Sequence, residues 1–232
     1  MEQYFKGKLL EFELLPKYEN EFTKNITVNF PPNAYVDLAA KYFEQGKTYF
    51  SNFSGLKSDY EIIGVEKKYE YQLDKYNMVG IIDLEVKHKD GHFEIIDHKS
   101  KSSQTLTQRQ IDNQLKKGEP EDNFVVLTDG RYMPFELMIQ LYNYCKPFKE
   151  LYGEFPKYLN FNMFKIGDWY QVKFNEKDYQ RSLKWMTDII QILYNCNTWN
   201  KGNGASEFWC DFICGQSTNC KYSNKYIGEL DE

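Results

Sequence analysis

Asp97 and Lys99 lie two residues apart in the run Phe93-Glu94-Ile95-Ile96-Asp97-His98-Lys99. Side chains of an extended strand alternate with period two, so Phe93, Ile95, Asp97 and Lys99 share one face and the carboxylate stands beside the ammonium. Such a pair can hold a cation through the acid and orient a water through the amine. Spacing alone is a weak signal. With 34 acidic residues and a basic complement of 29 that is almost all lysine, chance supplies roughly four Asp/Glu-x-Lys matches, among them Glu66-Lys67-Lys68 and Glu85-Val86-Lys87. Context raises the odds. Asp83, in Gly80-Ile81-Ile82-Asp83, falls on the preceding strand and Glu66 one strand earlier, so three carboxylates and one ammonium can meet at one position of a sheet. Carboxylates that close repel and are driven towards protonation unless cations neutralise them. The combination therefore implies a bound divalent metal, and hard oxygen donors select Mg or Mn.

Placing these groups together makes demands on the chain around them. Residues 61–73, 78–87 and 92–97 are rich in β-branched and aromatic residues and predict three consecutive strands, with Asp90-Gly91 at the last turn. A two-residue turn there would set Asp83 opposite His98 and send Asp97 to the other face. The chemistry needs a three-residue loop, Lys89-Asp90-Gly91 with Gly91 left-handed, or a bulge in one strand, so that Asp83 faces Asp97.

Pro31-Pro32 precedes a helix expected over 34–49, with Tyr35, Leu38, Ala39, Tyr42 and Phe43 at helical spacing and a loop over 51–58 ending it. The polar stretch 100–129, with a short helix over 107–115, reads as an insertion at the site. Pro134 is expected to open a helix carrying Leu137, Met138, Leu141, Tyr142 and Cys145 on one face, and Pro147 to end or kink it. Strands follow at 158–164 and 169–174. Asn175 then caps a long helix with Leu183, Met186, Ile189, Ile190 and Leu193 on one side. This succession describes a mixed α/β fold, a small central mixed sheet flanked by helices. We expect one domain over 1–232, with a core at about 34–195 and a cysteine-containing tail at 196–232.

The ordered motifs GVEKKYEYQL, MVGIIDLEVKHKDGHFEIIDHKSKS and QLYNY, spread over residues 61–144, resemble the PD-(D/E)XK nuclease superfamily, and within it the RecB-type exonuclease domains with their phage and CRISPR-associated relatives. They look like that family's strand glutamate, its Gly-x-x-Asp and Asp-x-Lys strands, and its Gln-x-x-x-Tyr helix. The resemblance implies a restriction-endonuclease-like core and a Mg- or Mn-dependent deoxyribonuclease, an exonuclease of recombination, repair or phage DNA processing. It implies one or two metal ions held by Asp83, Asp97, Glu66 and the backbone carbonyl of His98, with Lys99 orienting and helping to deprotonate the attacking water. Gln140 and Tyr144 would contact DNA and brace Lys99, and DNA would be met also by Lys101 and Arg109. Standalone nucleases of this kind work beside a helicase or recombinase. The alternative is a catalytically inactive DNA-binding or partner-docking module on the same fold. RecB-type domains carry a metal-binding His on the first helix, whereas His88, His92 and His98 all fall on the hairpin, with Glu44 the substitute on that helix.

The net charge of −5 argues against a broad basic surface for nucleic acid. A local strip survives that objection: Lys99, Lys101, Arg109, Lys116 and Lys117 are met only by Asp112 between positions 98 and 117. Five cysteines in a chain without an export signal argue against a disulfide framework and for a cytoplasmic protein, in the host cytoplasm if phage-encoded. Cys210, Cys214 and Cys220 resemble the cysteine cluster that holds an iron-sulfur cluster in some relatives; with Cys196 or Cys145 as fourth ligand they could hold that or zinc.

Overall fold

Three consecutive segments rich in Ile, Val and Tyr form an antiparallel meander, β1 (Tyr60–Leu73), β2 (Tyr76–His88) and β3 (Phe93–His98). The structure is a computed structural model that describes residues 2–26, 30, 34–53, 59–101, 103–195, 210–211, 214–215 and 217–227. The β2–β3 ladder runs from Lys87↔Phe93 to Leu84↔Ile96, and His88 N–H donates to the His92 carbonyl at 2.8 Å. The loop is thus the three residues Lys89-Asp90-Gly91, and Gly91 is left-handed at φ 92°, a conformation glycine adopts without the Cβ penalty. One more step along this register sets Asp83 opposite Asp97, as the chemistry requires.

Beyond β3 the sheet continues with β6 (Tyr158–Met163), parallel to β3, and β7 (Asp168–Lys173), giving a five-stranded mixed sheet of order β1-β2-β3-β6-β7. The crossover between β3 and β6 holds α4 (Gln108–Lys116), a small hairpin of β4 (Phe124–Val126) and β5 (Tyr132–Pro134), and α5 (Ile139–Tyr152). After β7 comes α6 (Glu176–Asn195), capped by Asn175, whose Oδ1 accepts from the Asp178 N–H at 3.1 Å. Before β1 stand α1 (Glu2–Phe5), α2 (Leu14–Asn25) and α3 (Leu38–Ser51).

The sheet buries both faces. On one, Ile82, Ile95, Leu159 and Tyr170 pack with Leu141, Tyr142 and Phe148 of α5; on the other, Leu84, Val86 and Ile96 pack with Phe5 of α1. Ile82 and Leu84 are two residues apart on one strand, yet they belong to opposite faces. The partner strand makes the same change: Val65 lies with Leu84, whereas Lys67 bonds to the Tyr152 hydroxyl of α5. Between Val65 and Lys67 stands Glu66, left-handed at φ 49°. Regular alternation is therefore interrupted at Glu66 and Asp83, two of the three acids expected at the site.

Several boundaries differ from expectation. The first long helix starts at Leu38 because the Asp37 carboxylate accepts from the Ala40 N–H at 3.0 Å, leaving Tyr35 94% exposed outside it; Pro31, Pro32 and 54–58 lie outside the described residues. Pro134 closes β5, and a 3-10 turn (Phe135–Met138) intervenes before α5. Pro147 does not end α5, which runs to Tyr152 and stops at left-handed Gly153. An interior helix proline costs about 3 kcal/mol, and burial of Leu141, Tyr142, Cys145 and Phe148 along the helix offsets it. The apolar face of α6 gives out before Leu193, which is 49% exposed.

Candidate active site

The end of β3 carries Asp97 into the α5 side of the sheet, where it is 2% exposed, and its Oδ2 is 2.6 Å from Lys99 Nζ. Lys99 in turn donates to Gln140 Oε1 at 2.7 Å, and Gln140 Nε2 donates to the Tyr144 hydroxyl at 2.7 Å. One face of α5, with Gln140 and Tyr144 a single turn apart, therefore holds the lysine in place. The ring of Tyr144 lies against β2 at Gly80: a Cβ there would come within 3.0 Å of Tyr144 Cε1. The glycine of the Gly-x-x-Asp motif is thus explained by close packing of the tyrosine.

Asp83 is half-buried and accepts from the His98 backbone N–H at 2.8 Å through Oδ2. Glu66 is exposed and lines the same hollow as Asp83 and His98. Burial raises the Asp97 carboxyl above the ordinary aspartate range, with Lys99 opposing the rise and Asp83 adding to it. Burial likewise raises Glu66, with Asp83 and Glu2 adding repulsion. Tyr144 is raised by burial and by the nearby Asp97, Asp83 and Glu66. These groups share one field of negative charge, and a hard cation would relieve it.

The carboxylates nevertheless point apart. Among the described residues, no three acids of this row bring ligand atoms within 4.8 Å of one another; Asp97 turns to Lys99 and Asp83 to the His98 amide. The donor set suits Mg or Mn. His98 enters through its N–H, while its ring stacks 5.9 Å from Phe5 and meets Asn162 Nδ2 through Nδ1 at 3.0 Å. Burial lowers the His98 pKa, keeping the ring neutral.

Glu66 and Asp83 open on a hollow of about 700 Å³ walled by Tyr18 of α2 and by Gln45, Tyr49 and Phe50 of α3, and lined also by Lys165. A neighbouring hollow of about 750 Å³ shares Gln45, Tyr49 and Lys165 and carries the cleft along α3 past Lys41 and Trp169. Lys99 and Lys101 line a smaller hollow of about 200 Å³ beside Gln140. Arg109 is exposed on α4 and lines none of these. Glu44 faces the cleft along α3 and pairs with Lys47 at 3.8 Å, away from the acids. Sequence reading missed the Tyr18, Gln45 and Tyr49 wall; the apolar period of 14–22 marks α2 as a helix but says nothing of the hollow it lines.

Of the chance Asp/Glu-x-Lys matches, Glu85 is structural: it is fully buried, bonded by the hydroxyls of Tyr69 and Tyr152 and 3.6 Å from Lys67 Nζ. Cys145 lies in the core with its thiol on the Leu141 carbonyl and its pKa driven up by burial. Cys196 lies outside the described residues. Cys210, Cys214 and Cys220 are free and do not gather into a metal-competent group among those residues.

A five-stranded mixed sheet flanked by helices, with Asp83 within β2 and Asp97 and Lys99 at the end of β3, is consistent with a restriction-endonuclease-like core. Residues 8–118 match the family model of the PD-(D/E)XK nuclease superfamily. No curated protein matches the chain. The match points to a metal-dependent nuclease, a phosphodiesterase in the general sense. No described helix is long and apolar enough to cross a membrane.

Proposed function

We propose that the chain is a Mg- or Mn-dependent deoxyribonuclease, an exonuclease of recombination, repair or phage DNA processing, with 1–232 folding as one nuclease domain and a helicase or recombinase as its working partner. The observation that carries this reading is the relay from Asp97 through Lys99 and Gln140 to Tyr144, beside Asp83 in the same register. Glu66, Asp83, Asp97 and the His98 carbonyl would hold the metal, which when bound polarises the scissile phosphate and acidifies an attacking water. Lys99 orients that water and offsets charge that grows on the phosphate. Gln140 and Tyr144 keep the ammonium aimed at the site, and Lys101 and Arg109 meet the DNA backbone outside it. The cleft along α3, with Lys41, Lys165 and exposed Trp169, suits a single strand through charge and base stacking.

The experiment is cleavage of end-labelled linear and closed circular DNA with Mg or Mn. Degradation of the linear form alone supports the exonuclease; cutting of the circle makes the protein an endonuclease. A second reading, a non-catalytic DNA-binding or partner-docking module, is favoured by the Asp97–Lys99 pair and the Asp83–His98 bond, which occupy the site's own groups. Retention of DNA without cleavage under either metal would select it.

A further inference from the structure

At the other end of the β2–β3 pair, His88 and His92 face each other across the three-residue loop, and Glu94 follows two residues later on the same face. Glu94 Oε1 is 2.8 Å from His88 Nε2 and 3.5 Å from His92 Nε2, and one donor atom from each residue falls within 4.8 Å of the others. The two imidazoles stack with centroids 3.7 Å apart. Both Nε2 atoms are buried, and at these distances neither makes a hydrogen bond of acceptable geometry.

The surroundings orient all three side chains. Glu94 is 3% exposed and its Oε2 accepts from Asn160 Nδ2 at 2.9 Å. His92 Nδ1 sits against Asp90 Oδ1; a carboxylate on Nδ1–H fixes the tautomer whose Nε2 is a lone pair, the usual support of a metal-bound histidine. Tyr60 and Tyr158 close the sides edge-on. A plain ion pair leaves one lone pair facing the carboxylate, and protonating both stacked rings sets two positive charges face to face. A cation shared by the three donors would relieve both conflicts once the stacked rings turn their lone pairs towards it. With metal–ligand bonds of about 2.0–2.1 Å, donors at the corners of a tetrahedron stand about 3.3 Å apart, between the two Glu94–histidine distances found here.

We propose that His88, His92 and Glu94 form a second metal site, which takes a first-row transition ion of the zinc type and leaves a fourth position to water. Two imidazoles select such an ion over magnesium. The side chains of His88 and His92 keep 15% and 17% exposure, which leaves a way in for the ion. Its effect is to staple the hairpin whose register sets Asp83 opposite Asp97. This site stands or falls independently of nuclease activity.

The test uses the full chain, stripped with a chelator and titrated with zinc chloride in excess magnesium. The chain has 3 histidines, so its imidazole NMR spectrum is simple. We expect one equivalent of zinc to shift the His88 and His92 signals and leave His98 unmoved, and to raise the melting temperature. His92→Ala should abolish binding of that equivalent, Asp90→Ala should weaken it about tenfold, and the triple change Cys210→Ser, Cys214→Ser, Cys220→Ser should leave it intact. Unmoved His88 and His92 signals, loss of zinc with the cysteines, or displacement of zinc by magnesium would each overturn the proposal; the first is read on the wild type and needs no variant to fold.

Discussion

At one end of the β2–β3 ladder Asp83 and Asp97 stand opposite each other beside Lys99; at the other end His88 and His92 stand opposite each other beside Glu94. Both pairs arise from the same register, set by a three-residue loop with Gly91 left-handed. Their chemistry differs because the donors differ. The aspartate end offers oxygen alone, lies along a wide cleft and carries a lysine. The histidine end offers two nitrogens beside one carboxylate and is walled by two tyrosines. On the two proposals made above, a single ladder would separate a hard, reactive centre from a borderline, structural one.

The strongest way to break the comparison is to insert one glycine into Lys89-Asp90-Gly91. A one-residue slip sends alternate side chains to the other face, so both DNA cleavage and zinc binding should fall to background; retention of either would show that the register does not govern it. Lys99→Ala separates the ends instead, and should lower turnover by about 10²–10⁴-fold with the zinc isotherm unchanged. Gly80→Val pushes on the Tyr144 ring and, through Gln140, on Lys99; turnover should drop roughly tenfold, in the range of lost supporting contacts, again without touching zinc.

The smallest effect concerns stability. The Asp97 carboxyl is raised in the fold by burial, so the native state binds its proton more tightly than the unfolded chain does. Asp97 therefore favours the fold at acid pH and costs stability as the pH rises through the carboxylate range. Without metal, Asp97→Asn should melt higher than wild type at pH 7, and the two should converge below the usual aspartate pKa, as read by calorimetry. A lower melting temperature for the variant at pH 7 would mean that the Lys99 pair outweighs burial.

Much of this was legible in the residues. Period-two alternation places Asp97 and Lys99 together, and the demand that Asp83 join them forces the three-residue loop that is found. Asn175 and Thr107 act as the caps their types suggest. The helix through Pro147 was not legible, because tertiary burial overrides local propensity. Nor was the left-handed twist at Glu66, which a glutamate does not advertise, or the covering of His98 by Phe5, a contact between distant segments. The metal-competent set at His88, His92 and Glu94 was visible only as the wrong place for a histidine. It gained meaning once the cross-strand pairing put the two rings face to face.

The measurement that bears most directly on the aspartate end is single-turnover cleavage of end-labelled linear duplex in Mg or Mn by wild type, Asp83→Asn, Asp97→Asn and His88→Ala, each checked for folding by circular dichroism. Wild type and His88→Ala should cut at similar rates while both aspartate variants fall to background. Cutting by a folded Asp97→Asn protein at the wild-type rate would contradict the assignment of the catalytic centre to Asp83 and Asp97.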